Sequence, residues 1–128
     1  MKPIPWQTEE EAEMVKEYIL LPMMLDVLER DRLVLTEARF KLPEVYGALI
    51  AWLQASVTTD LTRVRRDMRE HGMRVFEARR TKLGVEARYL CRGYTYEFSM
   101  LWGLVKAEIV QRLCTYLGID ITKEGIFS

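Results

Sequence analysis

At Gly72 the apolar spacing of this chain changes period, and no other feature restricts the fold as much. Before it, apolar residues recur every three or four positions, which is the spacing of one helix face. After it, Met73 to Arg80 and Val85 to Arg92 are rich in β-formers, and the second stretch alternates. A helix-period pattern does not settle as a strand, nor a strand pattern as a helix. The expected fold is therefore α+β and mostly α, with its helices first.

The first helix is expected at about 9–37. Thr8 and Glu11 have the spacing of a capping box, and Glu9 to Glu11 suit the positive end of a helix dipole. Met14, Tyr18, Leu21, Leu25, Leu28 and Leu35 mark one face. Pro22 removes a backbone donor inside this pattern, so a kink, or a division into two helices, is expected there. Pro3 and Pro5 make residues 1–7 an extended arm from which Trp6 folds back onto the helix.

A second helix is expected at about 44–71, opened by Pro43 and closed by Gly72. Val45, Leu49, Trp52, Leu53, Val64 and Met68 step along it. Val57-Thr58-Thr59 weakens its middle, and Asp60 offers a second start. A β-hairpin at about 73–92 follows. Its loop, Thr81 to Gly84, ends on a glycine where positive φ is expected. Val85, Ala87, Tyr89 and Cys91 share one strand face. Gly93 marks a bulge or bend, and Tyr94 to Phe98 either prolongs the strand or leaves it. Ser99 is the expected cap of a C-terminal helix at about 100–117, with Leu101, Leu104, Val105, Ile109, Leu113 and Tyr116 as its core stripe and Gly118 as its stop. With 128 residues, 1–128 reads as a single domain with one core.

The net charge is zero, but it is unevenly spread. Acidic residues dominate 1–60, and basic residues dominate 61–96. Arg63, Arg65, Arg66, Arg69, Arg74, Arg79 and Arg80 fall in that basic stretch. The guanidinium fork grips two oxygens at once, so such a cluster suits phosphate or carboxylate. It is a candidate patch for nucleic acid or an acidic partner, or a surface that pairs with the chain's own acidic half.

No catalytic constellation emerges. His71 is the only histidine, and Cys91 and Cys114 lack metal-ligand spacing, so neither a zinc site nor a disulfide framework is implied. Without a P-loop or a GxGxxG run, no nucleotide cofactor is implied. Arg92 to Phe98 is partly similar to the aromatic RNP1 strand of RNA-binding domains, but Thr95 and Glu97 depart from it. The longest apolar run, Tyr18 to Leu25, contains Pro22 and is too short to cross a bilayer. With an acidic N-terminal region and unpaired cysteines, the chain is expected in the cytosol.

Tyr18, Leu21, Met24, Leu25 and Leu28 belong to a segment more apolar than one helix face needs. They are the expected self-association surface. The function expected first is a non-enzymatic interaction protein, a homo-oligomer that binds another protein. The second is a nucleic-acid binder using the arginines of 63–92, with Tyr94 and Tyr96 stacking on bases.

Glu17-Tyr18-Ile19-Leu20-Leu21-Pro22, Val27-Leu28-Glu29-Arg30-Asp31 and Arg92-Gly93-Tyr94 resemble small uncharacterised proteins of Bacillus-type bacteria and their phages. The resemblance implies a compact helical domain in a bacterial or prophage setting. It carries no activity and no functional residue.

Overall fold

The computed structural model describes residues 7–124; Trp6 and its expected fold-back lie outside them. Helix α1 (Glu9–Glu37) and helix α2 (Pro43–Glu70) form a long antiparallel hairpin. Strands β1 (Met73–Arg80), β2 (Gly84–Cys91) and β3 (Tyr94–Leu101) follow, then α3 (Trp102–Tyr116) and a short α4 (Ile121–Glu124). The sheet is an antiparallel meander in the order β1-β2-β3.

The capping box forms as its spacing predicts. Thr8 Oγ1 accepts from the Glu11 N–H at 3.0 Å, and Glu11 Oε1 accepts from the Thr8 N–H at 2.9 Å. Pro22 does not divide α1, which runs as one helix through it. Nor does Val57-Thr58-Thr59 divide α2. Val57 is fully buried, and the hydroxyls of Thr59 and Thr62 donate back to the carbonyls of Ala55 and Thr58. Packing outweighs the modest β-branched penalty there.

The larger departure is β3. Arg92 (φ 51°) and Gly93 (φ 87°) form a tight turn, and Tyr94 to Leu101 pairs with β2 along its whole length. Positive φ at both central residues is the signature of a two-residue hairpin turn. Ser99 therefore sits in β3 opposite Glu86 and caps nothing. Helix α3 starts instead at Trp102, whose N–H donates to the Leu83 carbonyl and whose indole donates to the Thr81 carbonyl at 2.8 Å. Those bonds tie the helix start to the β1–β2 loop.

Gly84, expected to end that loop with positive φ, is instead the first residue of β2 and has no positive φ. A Cβ there would lie 2.0 Å from the Met100 carbonyl oxygen. Only glycine lets β3 approach so closely.

One face of the sheet packs on the helices. Met14, Val15, Leu20, Leu21 and Met24 of α1 meet Val57, Leu61, Val64 and Met68 of α2 in one buried cluster. Val85, Ala87, Tyr89 and Cys91 of β2 complete it, as their alternation predicts, with Val105 and Ile109 of α3. The stripe expected for α3 is narrower than its spacing implied: Leu101 and Leu104 are exposed. The other sheet face carries a cross-strand charge ladder, Arg79–Glu86 and Glu77–Arg88–Glu97.

Candidate functional site

The α1–α2 hairpin outgrows the core. Leu28 is the last buried residue of α1 and Leu53 the first of α2; between them, across residues 29–52, no side chain is buried. At about 1.5 Å per residue, each helix projects roughly 14 Å past that pair. The projecting tip is nevertheless rich in large apolar groups. Leu33, Val34, Phe40, Leu42, Val45, Tyr46, Leu49 and Trp52 are each 42–61% exposed. Phe40 and Tyr46 lie against each other across the connection, with ring centroids 5.0 Å apart.

Helical geometry explains the exposure. On α2 the buried stripe is Leu53, Val57, Leu61, Val64 and Met68. Val45, Leu49 and Trp52 form a second stripe, displaced by about 100° around the axis at ideal helical pitch. Helix α1 covers the first stripe, and no described element covers the second. A polar clamp separates tip from core: Glu29 Oε2 accepts from Gln54 Nε2 at 3.0 Å and from Arg32 Nε at 2.9 Å. Hydrogen bonds from Arg32 and then Gln54 hold the Glu29 carboxyl at about 2.

The residues expected to mediate self-association lie elsewhere. Leu21, Met24 and Leu28 are in the core, and Tyr18 and Leu25 are partly buried against it. As an exposed docking surface that set is corrected. The excess apolar surface of α1 is used inside the chain because both α2 and the sheet pack on it. The exposed apolar surface begins one turn later. Beside its base, between α1 and α3, opens a cleft of about 540 Å³ lined by Met23, Val27, Trp102, Val105 and Ile109.

The arginine stretch is divided by the fold. Arg63 reaches Glu17 at 3.0 Å and Asp67 at 3.3 Å. Arg66 lies 3.8 Å from Asp67, Arg79 2.8 Å from Glu86, and Arg80 3.4 Å from Asp26. Arg65, Arg69 and Arg74 remain. Together they line one cleft between the end of α2 and the start of β1. Among the expected stacking aromatics, Tyr94 is exposed, while Tyr96 stacks on Tyr89 and packs against the core.

Sequence reading missed one buried polar cluster. Glu11 is only 1% exposed. Its carboxylate receives the Arg92 guanidinium, and His71 Nδ1 lies 3.2 Å away. The network joins the start of α1, the end of α2 and the β2–β3 turn. Burial alone would raise the Glu11 pKa, but hydrogen bonds from Arg92, the Thr8 N–H and His71 reverse that and hold it at about 2. Neighbouring Cys91 is buried, and burial followed by the Glu11 charge pushes its thiol pKa up, which keeps it protonated and unreactive. Glu11 also answers to the capping box, and that role masks the pairing in the sequence.

Among the described residues, no group of three or more His, Cys, Asp or Glu side chains is placed to hold a metal ion. None of the described helices is long and apolar enough to cross a membrane.

The YhjD protein family model matches residues 6–121. The chain belongs to the YhjD protein family. The match runs from two residues before the capping box to the first residue of α4, so it takes in the hairpin tip, the arginine cleft and the Glu11 network. No curated protein and no solved structure matches the chain.

Proposed function

We propose that this YhjD family member is a non-enzymatic interaction protein that works as a homodimer through its helical hairpin tip. One observation carries the reading: across residues 29–52, where no side chain is buried, the chain presents Leu33, Val34, Leu49 and Trp52 on two helices as exposed apolar groups. Exposed apolar surface of this extent, rimmed by charge, marks an association site. Two such hairpins packed face to face make a four-helix arrangement, a common way to bury helix pairs.

Charge supports a second copy as the occupant. In a two-fold dimer each surface meets itself, so a surface of one sign would repel. Residues 29–44 are balanced: Glu29, Asp31, Glu37 and Glu44 against Arg30, Arg32, Arg39 and Lys41. Among the described residues, only Glu29 and Arg32 of these form an ion pair within the chain. The others are left to pair across an interface.

A nucleic-acid track has less support. Arg63, Arg66, Arg79 and Arg80 stand beside the chain's own carboxylates, which lowers their value as phosphate contacts. The sequence resemblance supports a bacterial or phage setting, and two free thiols suit the cytosol.

The test is the double variant Leu49→Glu with Trp52→Glu. It puts charge on the exposed stripe and leaves the buried stripe intact. By size-exclusion chromatography it should elute as a monomer with unchanged far-UV circular dichroism, whereas the parent elutes as a dimer. A double variant that stays dimeric excludes the tip as the interface.

A further inference from the structure

Outside the hairpin tip, every described arginine lies within 4.0 Å of a carboxylate except Arg65, Arg69 and Arg74. Those same residues line a single cleft of about 220 Å³. Arg65 and Arg69 stand one turn apart on α2, and Arg74 enters from β1 across the Gly72 turn. No acidic residue lines the cleft; Glu70, adjacent to Arg69 in sequence, is not part of it. Grouping like charges without an anion costs the free protein, and outside the tip the other described arginines avoid it by standing beside a carboxylate.

The cleft is not polar throughout. Buried Met68 and Met73 and partly buried Tyr18 form its floor. An apolar floor under cationic rims fits a ligand with both an apolar body and a doubly charged head. The guanidinium fork matches the tetrahedral oxygens of phosphate, and methionine adapts its shape to a small body. The volume admits a phosphate and a compact body, but not a run of nucleotides. The arginines nearby, Arg63, Arg66, Arg79 and Arg80, each stand beside a carboxylate, which weakens any continuation for a longer polyanion.

We infer that Arg65, Arg69 and Arg74 form a binding site for a small phosphate monoester, with the phosphate on the guanidinium groups and the body on Met68, Met73 and Tyr18. The site lies on the sheet side of the core and does not depend on the dimer reading.

Phenyl phosphate is the probe, titrated into the full chain by calorimetry beside inorganic phosphate and a single-stranded oligonucleotide length series. Phenyl phosphate should bind one per chain, and more tightly than inorganic phosphate because its ring adds burial. Arg69→Ala with Arg74→Ala should weaken it by about tenfold or more. Arg66→Ala, outside the cleft, should leave it unchanged. Arg69→Lys with Arg74→Lys keeps the charge, loses the fork, and should bind with intermediate affinity. No saturable binding overturns the site, as does equal weakening in the Arg66 variant. Affinity that climbs steadily with oligonucleotide length replaces it with a nucleic-acid surface.

Discussion

Replacing Glu11 by glutamine removes one charge from the most buried polar position described and keeps its shape. The carboxyl pKa is lowered from an ordinary 4.5 to about 2. At about 1.4 kcal/mol per pKa unit, that fall links Glu11 ionisation to about 3 kcal/mol of folding stability. The sign follows from the direction. A carboxylate whose folded pKa is depressed adds stability that is complete above the unfolded pKa and disappears as pH falls through the folded one. The contribution is therefore full at pH 7, declines below about pH 4.5, and is lost near pH 2. Glu29 titrates over the same range on the exposed tip, so the useful quantity is the difference between two proteins at each pH. Urea unfolding of the parent and Glu11→Gln at pH 7, 5 and 3, at protein concentrations low enough to keep both monomeric, measures it. The parent should be the more stable at pH 7 by about 3 kcal/mol, and the gap should narrow between pH 5 and pH 3. A gap that is the same at pH 7 and pH 3 would refute the linkage. A gap below about 0.5 kcal/mol at pH 7 would mean that burial and ion pairing cancel.

Other substitutions separate core, tip and sheet. Leu20→Ala, at a fully buried position, should destabilise by about 2–5 kcal/mol, whereas Leu33→Ala on the tip should change monomer stability by no more than about 0.5 kcal/mol; denaturant titrations of both check the contrast. Gly84→Ala drives a methyl group into the Met100 carbonyl and should cost at least about 1–3 kcal/mol, read as a lower melting temperature. In native protein a thiol reagent should modify partly exposed Cys114 well before buried Cys91, with both reacting in urea; equal native rates would contradict the burial of Cys91.

Much of this fold is legible wherever local chemistry and tertiary packing agree. Thr8 with Glu11, the stops at Gly72 and Gly118, and the alternating face of β2 all form as their sequence signals direct. The third strand is only half legible: Tyr94 to Phe98 reads equally as strand or exit, although its alternation is present. Tyr96, Phe98 and Met100 pack against the core between exposed Thr95, Glu97 and Ser99. Ser99 also reads as a helix cap, and Arg92-Gly93 lacks the Asn or Asp that usually announces a two-residue turn. Arg92 accepts positive φ beside its bond to Glu11, a partner 81 residues away.

The candidate sites were less legible for the same reason. Val45, Leu49 and Trp52 have helical spacing, but spacing does not say which of two apolar stripes another element covers. Likewise the run from Arg63 to Arg80 reads as one patch. Its division depends on carboxylates far along the chain, 46 residues from Arg63 in Glu17 and 54 from Arg80 in Asp26. Long-range pairing of that kind leaves no local trace, so the cleft of Arg65, Arg69 and Arg74 emerges only once the chain is folded.

Sedimentation equilibrium of the unmodified protein over a wide concentration series decides whether the hairpin tip joins two copies. A tip that buries itself against a second copy predicts a mass rising with concentration from that of the 15.1 kDa chain to twice that value, with no larger species. A chain that stays at the monomer mass throughout would contradict self-association and leave the exposed stripe of Val45, Leu49 and Trp52 without its proposed role.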